Sequence, residues 1–338
     1  MTNASWEALS NQAVAACGIV YFLALVAHLV EWSAVIGKRQ RVAGSAESAG
    51  SRTAVGGGVA LATGGPAATP GDAGERTHRV ALFARLGILL TTIAVVVHLV
   101  ALVSRGLAAD RVPWGNMYEF TLAGTFVVAG LYVVLYRKLA LAWMAPLVVG
   151  FVTVMLMIAV IWLYEGVAPL TEALNSPWLV IHVMAAILAT GAFTLGGITS
   201  AVYLAKARWP HAQVLARTPA LPVLDRVSYR IHAFAFPVWT FAVLITGPIW
   251  AHQAWSAYWS WDPKEVWAFI TWVVYAAYLH ARATAGWKGR NAALLALVGV
   301  ATLWFNFIGI NYFSSTSQHS YAAPQLAVVQ VVDTPSMS

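Results

Sequence analysis

Val80-ALFARLGILLTTIAVVVHLVAL-Val103 is a run of 24 residues in which only Arg85 and His98 carry ionisable groups. A helix that crosses hydrocarbon needs roughly 20 mostly apolar residues. Seven further stretches meet the same test, at about Ala13–Ile36, Met117–Tyr136, Leu139–Trp162, Trp178–Ala205, Tyr229–Trp250, Lys264–Ala281 and Ala292–Phe313. The expectation is an all-α, polytopic integral membrane bundle of about eight transmembrane helices. The whole chain agrees: 60% of the 338 residues are hydrophobic and 10% charged, against about 25% charged in soluble domains. No Lys or Arg precedes the first apolar stretch, and its length is that of a span rather than a cleavable signal. The single cysteine, Cys17, excludes a disulfide framework and a CxxC redox pair.

The net charge of +7 invites a nucleic-acid reading, but position decides otherwise. Sixteen of the twenty Lys and Arg residues fall between the first and second spans, after the third, between the fifth and sixth, or after the seventh. By the positive-inside rule those loops face the cytoplasm and both termini face outward. The basic balance is therefore topogenic, and no nucleic-acid partner is expected. Residues 1–36 are expected to form the first helix, and 37–79, rich in Gly, Ala and Ser, a flexible cytoplasmic linker. Residues 80–322 would form the main transmembrane domain, and 323–338 an extracytoplasmic tail.

The densest chemistry lies in the outward loop 250–267: Trp250-Ala-His-Gln-Ala-Trp255-Ser-Ala-Tyr258-Trp259-Ser-Trp261-Asp262-Pro263-Lys264-Glu265-Val-Trp267. Aromatic belts mark membrane interfaces, yet six tryptophans within 23 residues, interleaved with Asp, Lys and Glu, exceed what a belt requires. Indole faces stack on flat conjugated ligands while polar groups fix orientation. Lys264 would suit a ring carrying carboxylates, such as haem. Asp262 followed by Pro263 is a helix start.

Two of the nine histidines flank this loop in the expected topology: His182, a turn or so into the fifth span, and His319, just after the eighth. Two neutral imidazoles at axial positions would hold a haem with its edges accessible. His280 ends the seventh span near the cytoplasmic side. His28 shares a helix face with Glu31, three residues on, which suits either an oriented imidazole or a buried polar pair. His98 and His232 have no sequence neighbour that lifts them above packing, and His252 is a weaker ligand candidate within the loop.

The run from Trp255 to Trp267, continuing to Trp272 and Tyr278-Leu279-His280, resembles the tryptophan-rich signature of haem-handling membrane proteins. It is most similar to the CcsA/ResC (also CcsB) family of system II cytochrome c biogenesis. Asn116-Met117-Tyr118-Glu119, Pro177-Trp178-Leu179 before His182, and His319-Ser320-Tyr321 add to the likeness, which covers most of the chain beyond Trp114. The resemblance implies a protein of the cell membrane that moves haem b outward, bound non-covalently. It would present the haem on the tryptophan loop for thioether attachment to apocytochrome c CxxCH motifs, as part of a haem lyase with a ResB-type membrane subunit. By the same carry-over His182 and His319 ligate the outward haem iron and His280 an inner one, whose second ligand the family links to the ResB-type partner; His28 is the candidate within this chain. On this reading Trp250, Trp255, Trp259 and Trp261 would form the platform, with Tyr258 and Trp267 also binding the cofactor, Asp262 at the rim and Lys264 on a propionate; Glu119, which faces outward as well, would line the same cavity. The chain departs from the pattern at Ser256, where Gly is usual, at Gln318 before His319, and in the long 37–79 linker.

Two other classes fit the composition: a b-type electron-transfer subunit, and a transporter of another flat or lipid-linked molecule. No span carries the histidine pair of a two-haem electron carrier, so only a single-haem version survives.

Overall fold

The computed structural model describes residues 2–52, 70–168, 176–314 and 317. Among these there is no strand. Eight long helices follow one another: α1 (Asn3–Arg52), α2 (Pro70–Ala109), α3 (Met117–Leu135), α4 (Ala145–Trp162), α5 (Pro177–Arg208), α6 (Leu221–Trp255), α7 (Pro263–Ala283) and α8 (Arg290–Phe313). Seven of them contain segments long and apolar enough to cross a membrane. The exception to the expected eight is α7. Its 21 residues suffice in length, but Lys264, Glu265, His280, Arg282 and its Trp and Tyr residues keep it less apolar than the others. Helical backbone also continues to Arg52 and resumes at Pro70, so both ends of the expected linker are helical. Ala, Arg, Lys, Gln and Glu there favour helix.

Packing is that of a membrane bundle. The α1–α2 contact buries small residues, among them Cys17, Ala24, Ala94 and Ala101, while Phe22, Leu29, Leu89 and Val96 are exposed. Small side chains let helix backbones approach without a hydrophobic driving force, and large apolar ones are left for lipid. Ser10 Oγ donates to Ala101 O at 2.9 Å, closing the pair.

One end of the bundle is tied by ionic bonds that avoid the aromatic loop. Glu119, fully buried at the start of α3, accepts from Arg105 Nε (3.0 Å), Arg111 Nη1 (2.7 Å) and Gly115 N (2.7 Å). Arg105 is itself fully buried and also donates to Glu165 O at 2.6 Å. This clamp joins the end of α2, the start of α3 and the loop after α4. At the other end Arg282 grips Asp225 through both nitrogens (2.8 and 2.9 Å), and Asp225 also takes the Gly289 N–H at 3.0 Å.

Candidate functional site

Helix α6 positions the site. It carries Pro237 and Pro248, which have no N–H to donate, and between them Phe241–Thr246 widens into a π turn. Such single turns recur at functional sites. Here the Ala242 carbonyl takes the Gly247 N–H and the Thr246 hydroxyl (3.1 Å), and His182 Nδ1 from α5 lies 2.9 Å away. A carbonyl only accepts, so the contact places a proton on Nδ1, and in the neutral imidazole the lone pair is then on Nε2. This is how a protein fixes an imidazole for ligation. The Trp250 ring runs parallel to that of His182, at 16° and 6.1 Å between centroids.

His182 and Trp250 line a cavity of about 200 Å³, open at its mouth, between α3, α4, α5, α6, α7 and α8. Of the residues expected from sequence, Tyr258, Trp259 and Lys264 share it. Lys264 is the one Lys or Arg among its lining residues, and Lys264 Nζ donates to Asn311 Oδ1 on α8 at 2.9 Å. From His182 to Thr194 the cavity follows α5 for twelve residues, about 18 Å at 1.5 Å per residue.

The other expected residues serve the loop or lie elsewhere. Trp255 packs edge-on against Trp250 at 4.8 Å. Trp261 is 73% exposed and meets Trp259 by its edge at 5.9 Å. Trp267 stands against Phe305 at 4.2 Å, outside the cavity lining. Asp262 does not form a rim. It is buried, caps α7 in a reciprocal box with Glu265, and its Oδ1 accepts from Lys264 N (2.8 Å) and Ser317 Oγ (2.9 Å). Glu119 does not enter the cavity either, because both Arg105 and Arg111 hold its carboxylate. His252 stacks on Tyr258 at 4.2 Å.

His280 is exposed on the last turns of α7. His28 is buried on α1, with Nε2 3.2 Å from Thr91 Oγ1 and Nδ1 3.6 Å from Glu31, which also pairs with Arg217. No contact among the described residues joins the two histidines. His319 and the tail 323–338 lie outside the described residues. His98 and His232 are fully buried, and His232 Nδ1 bonds Ser228 O at 2.7 Å, as packing residues would.

Sequence reasoning missed Trp239, Trp304, Phe120 and Asn306, all in the cavity wall. Each stands in an ordinary apolar span with no local motif. Glu265 was also missed as the residue that holds Ser260 N (2.9 Å) and Asp262 N (3.2 Å) and so shapes the loop; the Asp-x-x-Glu spacing of a capping box was its signal.

Comparison with known proteins places the chain in a family. The protein titled "Cytochrome c biogenesis protein CcsA" from Trieres chinensis is 32% identical over 256 residues, covering 64% of this chain and 80% of the relative. The protein of the same title from Porphyra purpurea is 30% identical over 285 residues, 72% and 89% of the two chains. That from Chlamydomonas reinhardtii is 39% identical over 157 residues, but this chain spans only 44% of its length. A solved structure, "Cytochrome c Heme Lyase CcmF", shares the fold with a TM-score of 0.60 at 15% identity, over 91% of this chain and 47% of that one. The pattern described as "Cytochrome C assembly protein" matches residues 114–317, the stretch that runs from the start of α3 through the cavity helices to the Ser317 tether. On that match and those relatives, this multi-pass helical membrane chain belongs to the cytochrome c assembly protein family.

Proposed function

We propose that the chain acts in cytochrome c maturation by holding haem in the α3–α8 cavity and presenting it, on the extracytoplasmic side of the cell membrane, for covalent attachment to apocytochrome c. The single observation that carries this reading is His182: its Nδ1 is committed to Ala242 O, its ring lies parallel to Trp250, and it lines a cavity with aromatic walls and one lysine. An imidazole of fixed tautomer, flat apolar faces and a cation suit an iron ring bearing propionates.

His182 would hold the haem iron from one side, and His319 would be the second ligand. Support for His319 is its distance in sequence: Ser317, bonded to Asp262, is only two residues away, a reach of at most about 7 Å at 3.3–3.6 Å per residue. Trp259 would offer a flat face to the ring, Trp250, parallel to the ligating imidazole, would pack against its edge, and Lys264 would meet a propionate. No nucleophile is required of this chain, since the apocytochrome CxxCH motif brings the two thiols that add to the vinyl groups. Cys17 is buried on α1 and serves packing. The contribution is orientation of one reactant against another. His280, with His28 as candidate partner, belongs to an inner haem, and a ResB-type membrane subunit completes the synthase.

The test is an absorption spectrum of the detergent-purified chain, oxidised and reduced, with a pyridine haemochrome assay, the ResB-type subunit co-expressed. A low-spin b-type spectrum that becomes high-spin or is lost in the His182→Ala/His319→Ala double variant supports the reading. Wild type without bound haem, under ample haem supply, overturns it.

A further inference from the structure

Ala242 O is offered more donors than a carbonyl has lone pairs. The Gly247 N–H, His182 Nδ1 at 2.9 Å and the Thr246 hydroxyl at 3.1 Å all reach it, and a backbone oxygen has two lone pairs. Two of these donors are fixed in place. The π turn holds the amide, and the imidazole is confined between α5 and Gly247, against which its ring rests. The Thr246 hydroxyl has an alternative, for its one proton also stands 3.2 Å from Phe241 O. Thr246 is fully buried and is not among the residues that line the cavity. Water does not compete for its proton, and its influence on a bound ring must pass through the carbonyl.

A threonine that bonds the carbonyl four residues back is commonplace in helices. Here that carbonyl also orients an imidazole from another helix. Donors that share one acceptor weaken each other, because each draws on the same oxygen's electron density. The bond from Nδ1–H governs how basic Nε2 is, and Nε2 is the nitrogen left for a metal. We propose that Thr246 is a positioning residue that sets the reduction potential of the outward haem through Ala242 O. Its hydroxyl takes a share of the carbonyl, which keeps the imidazole a weaker electron donor. A weaker donor stabilises ferric iron less and makes the ferrous state easier to reach. This inference rests on the haem reading, and Thr246 itself touches neither iron nor ring.

Midpoint potentials of bound haem in wild type, Thr246→Val and Thr246→Ser, from spectroelectrochemical titration of the detergent-purified protein, test it. Valine removes the hydroxyl at nearly constant volume, and serine returns it. Thr246→Val should lower the potential, changing the ratio of reduced to oxidised haem at fixed poise about threefold, or about 30 mV for one electron. Thr246→Ser should match wild type. Resonance Raman spectra in a His319→Ala background, where His182 is the remaining ligand, read the imidazole directly. The ferrous iron–histidine stretching band should move to higher frequency on adding Thr246→Val. A potential that is unchanged, that rises, that falls without the band shift, or that serine does not restore overturns the role of Thr246 and leaves the haem reading standing. A hydroxyl proton held permanently on Phe241 O would give the unchanged result. Should Thr246→Val not fold, Thr246→Ala carries the same expectations. Wild type without bound haem overturns both readings.

Discussion

His182 Nδ1 and the Ala242 carbonyl oxygen, 2.9 Å apart, join α5 to the π turn of α6. In a regular α-helix that carbonyl would be turned along the axis toward the N–H four residues on. The widened turn shifts its backbone partner to Gly247 and leaves room for the imidazole. The ring rests against Gly247, where a Cβ would come 3.2 Å from His182 Cε1 and Nδ1 and 3.1 Å from Ala242 O.

Gly247→Ala should therefore push His182 aside by a few tenths of an ångström. Bound haem is expected to move partly from low to high spin in absorption spectra. Gly130, on α3 and outside the cavity lining, has open space where a Cβ would stand, with no neighbouring atom within 4 Å, and Gly130→Ala should leave the spectrum alone. Identical spectra for Gly247→Ala and wild type would count against His182 as the fixed ligand.

Two tryptophans of one motif should respond differently. Trp259 lines the cavity, whereas Trp267 packs on Phe305 outside it. Trp259→Ala is expected to weaken haem retention about tenfold, the worth of a lost aromatic face. Trp267→Ala should leave affinity within about twofold and lower stability by about 2 kcal/mol through lost packing. Competition with apomyoglobin measures the first effect and thermal unfolding the second.

The contrast between those tryptophans marks where sequence becomes silent. Spans are legible because hydrocarbon imposes length and composition on contiguous residues, and the loop with His182 is legible because its chemistry is dense. Which face of the motif meets the cavity is set by contacts such as Trp272 Nε1 donating to Thr240 Oγ1 at 2.9 Å across α6 and α7, and these have no local signature. The π turns leave little trace either: Pro237 and Pro248 bracket the one in α6, but nothing in Phe305-Asn306-Phe307-Ile308-Gly309 announces the one in α8. Glu119 was legible as a carboxylate at the start of α3, while Arg105 and Arg111, which occupy it, come from the end of α2 and the loop that follows it.

Glu119→Gln tests that clamp. It strips Arg105 and Arg111 of a charged partner in a buried setting, and breaking a buried pair costs about 3–5 kcal/mol. The variant should show a much lower unfolding temperature in detergent, with residual folded protein binding haem normally. A loss of haem affinity without a loss of stability would return Glu119 to the cavity.

Asp262 joins two tasks in one oxygen. Its Oδ1 caps α7 through Lys264 N and holds Ser317 Oγ, two residues before His319. Asn offers the same acceptor and caps helices as well as Asp does, losing the interaction of charge with the helix dipole, about 0.3–1 kcal/mol, and the negative charge that supports the Lys264 ammonium. Asp262→Asn should thus stay close to wild type. Asp262→Ala removes cap and tether together: stability should fall by about 1–2 kcal/mol, and the low-spin fraction of bound haem should drop as the His319 segment loses its anchor. Ser317→Ala separates the two, since it frees the segment and spares the cap. It should reproduce the spectral change at unchanged unfolding temperature. If Ser317→Ala leaves the spectrum untouched while Asp262→Ala alters it, Asp262 acts through the tryptophan loop and the tether has no part in holding His319.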